Sequence, residues 1–179
     1  MTHYRTILSL AVAVALVACS KAPEKAVEKM IESTIQKDGS KAKVDLSGGA
    51  AKITTTDASG KTSQIEMGAA KVGEAELGVP FYPGASPAEG SSTKVSTPDG
   101  SVYSVFLQSP DSPDKVAAFY RERLKAMSAG KQMMDMSGGD GSANLMLADE
   151  KEKTSVQVNV MKGAKGTDVQ IVANRPTAK

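Results

Sequence analysis

The chain has 179 residues, with 22 Lys and Arg against 20 Asp and Glu, one His, one Cys and no Trp. That length holds one domain or two small ones. A net charge of +2 with no dense basic cluster excludes a phosphate-tracking surface, so no nucleic-acid partner is expected.

Residues 1–18 read as a targeting segment. His3 and Arg5 sit in a short polar stretch, and an apolar run from Ile7 to Ala18 follows, broken only by Ser9. A helix needs about 20 apolar residues to cross a bilayer core. This run is too short to span and suits the apolar region of a signal peptide. It ends Leu16-Val17-Ala18-Cys19, which resembles the lipobox of bacterial lipoproteins. The resemblance implies cleavage between Ala18 and Cys19 and lipidation of Cys19, whose lipid then makes the membrane the first partner. Cys19 is the only cysteine, so it has no internal disulfide partner, and lipidation accounts for it. Ser20 resembles the outer-membrane class of the sorting pattern, facing the periplasm.

Residues 22–37 are predicted helical, because Val27, Met30, Ile31, Thr34 and Ile35 recur on one helical face. Pro23 suits its first turn and Gly39 its end. The apolar face is narrow and the polar face carries Glu as well as Lys, which favours packing on the domain over lying in a membrane surface. Residues 42–67 alternate at period two, with breaks at Gly48-Gly49 and Asp57-Ala58-Ser59-Gly60, and predict a three-stranded antiparallel meander. The stretch 68–78 reads as a linker. A division follows: 19–78 holds the lipidated end, helix, meander and linker, and 79–179 holds the main core. All aromatic residues beyond the signal segment lie between Phe81 and Tyr120.

The second part opens Val79-Pro80-Phe81-Tyr82-Pro83-Gly84-Ala85, a proline-stiffened turn. Strands are expected at 91–97 and 101–108, then a helix at 113–128 with Ser112 as cap, Pro113 in its first turn and Val116, Phe119, Tyr120, Leu124 and Met127 as its apolar stripe. Strands follow near 132–137, 142–149, 153–161 and 167–174, the last two alternating apolar with polar. Gly138-Gly139-Asp140-Gly141 reads as a hairpin turn. The predicted class is α+β, a ββα unit plus a β-meander, with one helix on one face of an antiparallel sheet.

The Val79–Ala85 turn, followed by Asp111-Ser112-Pro113-Asp114-Lys115-Val116-Ala117-Ala118-Phe119-Tyr120-Arg121-Glu122-Arg123-Leu124, resembles a group of small proteobacterial lipoproteins with a lipobox, a short helix, a β-rich segment, a "YPGA" turn and an "FY…L" helix. That resemblance covers most of 19–175 and implies a fold without an activity.

Removal of His3 with the signal segment and acylation of Cys19 leave no imidazole and no free thiol. Ser-His-Asp and Cys-His catalysis and the usual zinc sites are thereby excluded. No phosphate-binding Gly-rich loop is present. The carboxylate pairs Glu74/Glu76 and Asp149/Glu150 lie in predicted loops and read as solvated. The expectation is a non-enzymatic, lipid-anchored binding or structural module, with no catalytic residue, no cofactor and no metal site. Phe81 and Tyr82 are the candidate contacts for an envelope protein partner. The alternative is soft-metal binding by Met133, Met134 and Met136, since thioethers suit Cu(I). A carboxylate-based hydrolase ranks third.

Overall fold

The computed structural model describes residues 24–36 and 40–177. The expected signal segment, Cys19, Pro23 and Gly39 lie outside the described residues.

Helix α1 (Glu24–Gln36) buries Val27 and Ile31 and half-buries Ile35. Its apolar stripe is narrower than the periodicity suggested, for Met30 is 57% exposed. Three strands follow as expected: β1 (Lys41–Asp45), β2 (Ala51–Thr56) and β3 (Thr62–Met67). Gly48 and Gly49 take left-handed backbone in the short β1–β2 turn, which glycine adopts without steric cost. Glu28 and Glu32 of α1 accept hydrogen bonds from the N–H groups of Leu46 and Val44 at 2.9 and 2.8 Å. The helix thus caps the outer edge of β1, which would otherwise offer free donors to another chain.

The expected linker is structured. Residues Glu74–Leu77 form a short helix, α2, and Leu77 is fully buried. Periodicity could not reveal four residues of helix, since one turn carries no repeat. Gly78 ends α2 with left-handed backbone, and Arg175 donates to the Leu77 carbonyl at 2.6 Å. A Cβ at position 78 would collide with that guanidinium.

The remaining strands are β4 (Ser86–Pro87), β5 (Thr93–Thr97), β6 (Gly100–Ser109), β7 (Gln132–Ser137), β8 (Ala143–Asp149), β9 (Thr154–Gly163) and β10 (Gly166–Pro176). Strand β4 is a two-residue bridge on β6 that the sequence did not signal. Helix α3 (Pro113–Ala126) begins at Ser112-Pro113 as predicted, although Ser112 caps with its backbone oxygen rather than its side chain.

All strands pair antiparallel in the order β1-β2-β3-β5-β6-β10-β9-β8-β7, with β4 beside β6. Strands from both sides of residue 78 share this sheet, because β3 pairs with β5. The class is α+β.

Register decides which side chains share a face, since directly paired residues project to the same side. Val44, Ile53 and Ile65 stand in one row. They lie under α1 with Val27 and Ile31. Following the pairs outward, Val95 and Val102 extend that row, which reaches β10 at Asn174. The main core stands on the opposite face. Val105 pairs with Ile171 and Leu107 with Val169, and Val158 and Val160 continue the rows to Leu145 and Ala143. Over them lie Val116, Tyr120 and Leu124 of α3, all fully buried. The sheet therefore buries one face in its first half and the other in its second.

Two cores on opposite faces predict unequal stability. Leu145→Ala should cost about 2–5 kcal/mol, the usual range for a buried leucine, and speed hydrogen exchange throughout β6–β10. Ile31→Ala should release α1 and β1 to rapid exchange while protection in β8–β10 stays within twofold of the parent value.

Candidate functional site

Phe81 and Tyr82 are half-buried and pack against the main core. The Tyr82 ring meets Phe119 edge-on at 5.3 Å, and Phe119 meets Tyr120 likewise at 5.1 Å. The Tyr82 backbone N–H donates to the Tyr120 hydroxyl at 3.0 Å, and the Tyr82 hydroxyl donates to Asp111 at 2.7 Å. The two aromatics fasten the proline-stiffened loop onto α3 and do not form an exposed patch. Burial pushes the Tyr120 hydroxyl up to about 12. The hydrogen bond from Tyr82 holds the Asp111 carboxyl below its ordinary value, assisted by Lys115 at 3.5 Å.

The carboxylates singled out as possible acids are occupied by the chain itself. Glu76 accepts from the Gly73 N–H at 2.9 Å and Glu74 from the Phe81 N–H at 2.7 Å. Asp149 accepts from the N–H groups of Lys151 and Glu152, both at 3.1 Å, and Glu150 accepts from Gln132 at 2.8 Å. Glu74, Glu76 and Asp149 thus hold local backbone, and Glu150 ties the end of β8 to β7. Among the described residues no three His, Cys, Asp or Glu side chains gather as a metal site would require.

The three clustered methionines do not share one face. Met133 is half-buried against the main core, while Met134 and Met136 point to the other side and are 51% and 56% exposed. Alternation along β7 enforces this split. Met134 pairs with Met146 across the strand boundary, and Met136 with Asn144.

That open side is the surface sequence reasoning missed. It is the face of β6, β10, β9, β8 and β7 opposite α3. Five of the six large apolar residues left exposed among the described residues lie on it: Val102, Phe106, Met134, Met136 and Met161. Across its middle runs a row of amides, in which Asn144 pairs with Asn159 and Asn159 with Gln170. Asn144 donates to the Asn159 side-chain oxygen, Gln157 donates to the same oxygen at 3.2 Å, and Asn159 donates to Gln170 at 3.3 Å. A shallow depression of about 260 Å³ lies between these amides and Met136 and Met161. Asp168 is the one ionisable side chain these five strands project to this side, and Gln108 donates to it at 3.4 Å. The chemistry available is hydrogen bonding by neutral amides flanked by apolar groups. No nucleophile with an adjacent base stands there.

The signal for this face was in the sequence as the polar partners of each alternating strand, Asn144, Ser155, Gln157, Asn159, Gln170 and Asn174. These polar partners are amides and hydroxyls rather than Lys and Glu.

The Tyr82–Asp111 bond gives a pH prediction. Arg121 likewise holds Asp135 low through a 2.6 Å ion pair, with Ser137 assisting. Both carboxyls have folded-state values below the ordinary 3.8. Their stabilisation is complete above that value and is lost as pH falls through the lowered one, because the unfolded chain takes up protons first. Melting temperature should fall between pH 4 and pH 2, and Tyr82→Phe should flatten that slope. Tyr120→Phe deprives the Tyr82 N–H of its acceptor and should cost about 1–3 kcal/mol in urea unfolding at pH 7.

No family model matches this chain, and no curated protein or solved structure matches it either.

Proposed function

We propose that this chain is a lipid-anchored module of the bacterial envelope that acts by contact rather than by catalysis. The observation that carries the reading is the apolar run ending Leu16-Val17-Ala18-Cys19. Processing there removes the only imidazole, His3, and converts the only thiol, Cys19, to a thioether. Seryl hydroxyls then remain without the imidazole that most often activates them. The candidate carboxylates are committed to backbone N–H groups or to a side-chain amide, which supports the same reading. Each buried CH₂ of a lipid chain contributes about 0.8 kcal/mol to membrane affinity, so two or three chains on Cys19 hold the module permanently. Ser20 resembles the outer-membrane class of the sorting pattern, which supports an anchor in that membrane with the domain in the periplasm, where its contacts would be other envelope proteins.

Growing bacteria fed an alkyne-bearing palmitate should label the chain, and the label should follow it into the membrane fraction. Cys19→Ala should lose the label and accumulate unprocessed precursor. Label retained by Cys19→Ala, or a parent chain found wholly in the soluble fraction, would refute the anchor.

A further inference from the structure

We propose that the open face of β6–β10 is an isologous interface, covered by the same face of a second copy of this chain. The inference stands on the folded sheet and does not depend on the lipid anchor.

Charge comes first. Charged side chains make up 23% of the chain, yet these five strands turn only Asp168 to this side. Interface centres are depleted of charge and enriched in Met and aromatic residues relative to ordinary surface. The opposite case stands on the same sheet: the wet side of its first half carries Lys52, Glu66 and Lys94 in one row. Solvation alone thus does not explain why the second half lacks charge. With Asp168 toward one end of β10 as its single charge, the face also meets its own copy without setting like charges against each other.

The hydrogen bonding agrees. The amides of Asn144, Gln157, Asn159 and Gln170 already bond one another within the sheet. Buried polar groups are costly only when unpaired. Those bonds survive dehydration of the row, and the groups they leave over, the Gln170 amide nitrogen and the side-chain oxygens of Asn144 and Gln157, can bond their counterparts on a second copy. For a polysaccharide ligand the same amides would have to face outward to the hydroxyls, and one aromatic, Phe106, is little stacking surface for sugar rings.

The arrangement is symmetric in the way a two-fold interface requires. Amides occupy the three middle strands, β8, β9 and β10. Apolar groups occupy both flanks, Met134 and Met136 on β7, and Val102 and Phe106 on β6. A two-fold axis lying in the face through β9, either along or across the strands, sets amides on amides and apolar flank on apolar flank. Packed sheets lie about 10 Å apart with strands nearly aligned. Five strands at about 4.8 Å spacing, by a similar length along them, give a patch of about 600 Å². Two such patches bury about 1,200 Å², the lower end of specific interfaces.

Gln157 stands near the centre of the face, so the two copies of it should lie close together. The full-length chain carrying Gln157→Cys, oxidised mildly in intact cells, should form a covalent dimer on a non-reducing gel. The parent chain and Lys43→Cys, on the far half of the sheet, should not. In sedimentation of the detergent-purified full-length chain, the parent should run as a two-chain species at low micromolar concentration. Gln157→Glu, nearly isosteric, should weaken association at least tenfold with an unchanged circular dichroism spectrum. If Gln157→Glu perturbs that spectrum, Phe106→Ser on the flank is read instead, with the same loss expected. A parent chain that remains monomeric at 100 µM overturns the proposal, as does a dimer that a folded variant leaves intact. Crosslinking of Gln157→Cys to a different protein, or peptidoglycan binding by the monomer that Gln157→Glu abolishes, would assign the face another occupant and equally overturn it.

Discussion

The pairing of β6 with β10 is the constraint on which the rest depends. It runs unbroken from Ser109 opposite Thr167 to Gly100 opposite Pro176. The two strands are far apart in sequence, and their union joins the early meander to the late one. Their inner row, Val105, Leu107, Val169 and Ile171, is the floor on which α3 rests. Thr167 and Ser109 are buried at its end, where Thr167 donates to the Asp111 carbonyl at 2.6 Å and fixes the approach to α3. The close fit there leaves no room for a Cβ at Gly166, which would strike the Ser109 carbonyl.

That pairing also creates the reversal of sides. A strand register shifted by one residue moves every side chain to the opposite face. Val102 and Val95 belong to the row that starts under α1, whereas Val105 and Leu107, one face over, belong to the core under α3. One long strand, β6, thus contributes apolar groups to both sides. The cost of the arrangement is a half-sheet left open on each side. In the first half the open side is charged, with Lys52 and Glu66 paired at 3.2 Å. In the second half it is neutral and methionine-rich, and that asymmetry singles it out as a contact surface.

Much of the fold was legible. Alternation placed β1, β2, β3 and β5–β10 to within a few residues, and Ser112-Pro113 marked the start of α3. These signals are local, so one sequence suffices to read them. What was not legible was short or long-range. The helix α2 is a single turn held by Gly73, Gly78 and the reach of Arg175 from the last strand. Strand β4 exists only because β6 extends past it. At the site, Phe81 and Tyr82 drew attention as neighbouring aromatics on a stiff loop, and the fold spends them on Phe119, Tyr120 and Asp111. Met133, Met134 and Met136 formed a cluster only in sequence, and alternation along β7 separates them.

The sequence by itself determined the features that depend on composition and spacing. These are the apolar run that leads to Cys19, the single His and single Cys of the chain, the α+β order of elements, and the two-residue alternation within strands. Tertiary structure alone decided which side of the common sheet each strand buries. Periodicity fixes alternation but not phase relative to distant strands, and phase is set by the registers of β3 with β5 and β6 with β10. The registers of β8 with β9 and of β9 with β10 bring Asn144, Gln157, Asn159 and Gln170 into one hydrogen-bonded row, because the residues come from three strands and meet nowhere along the chain.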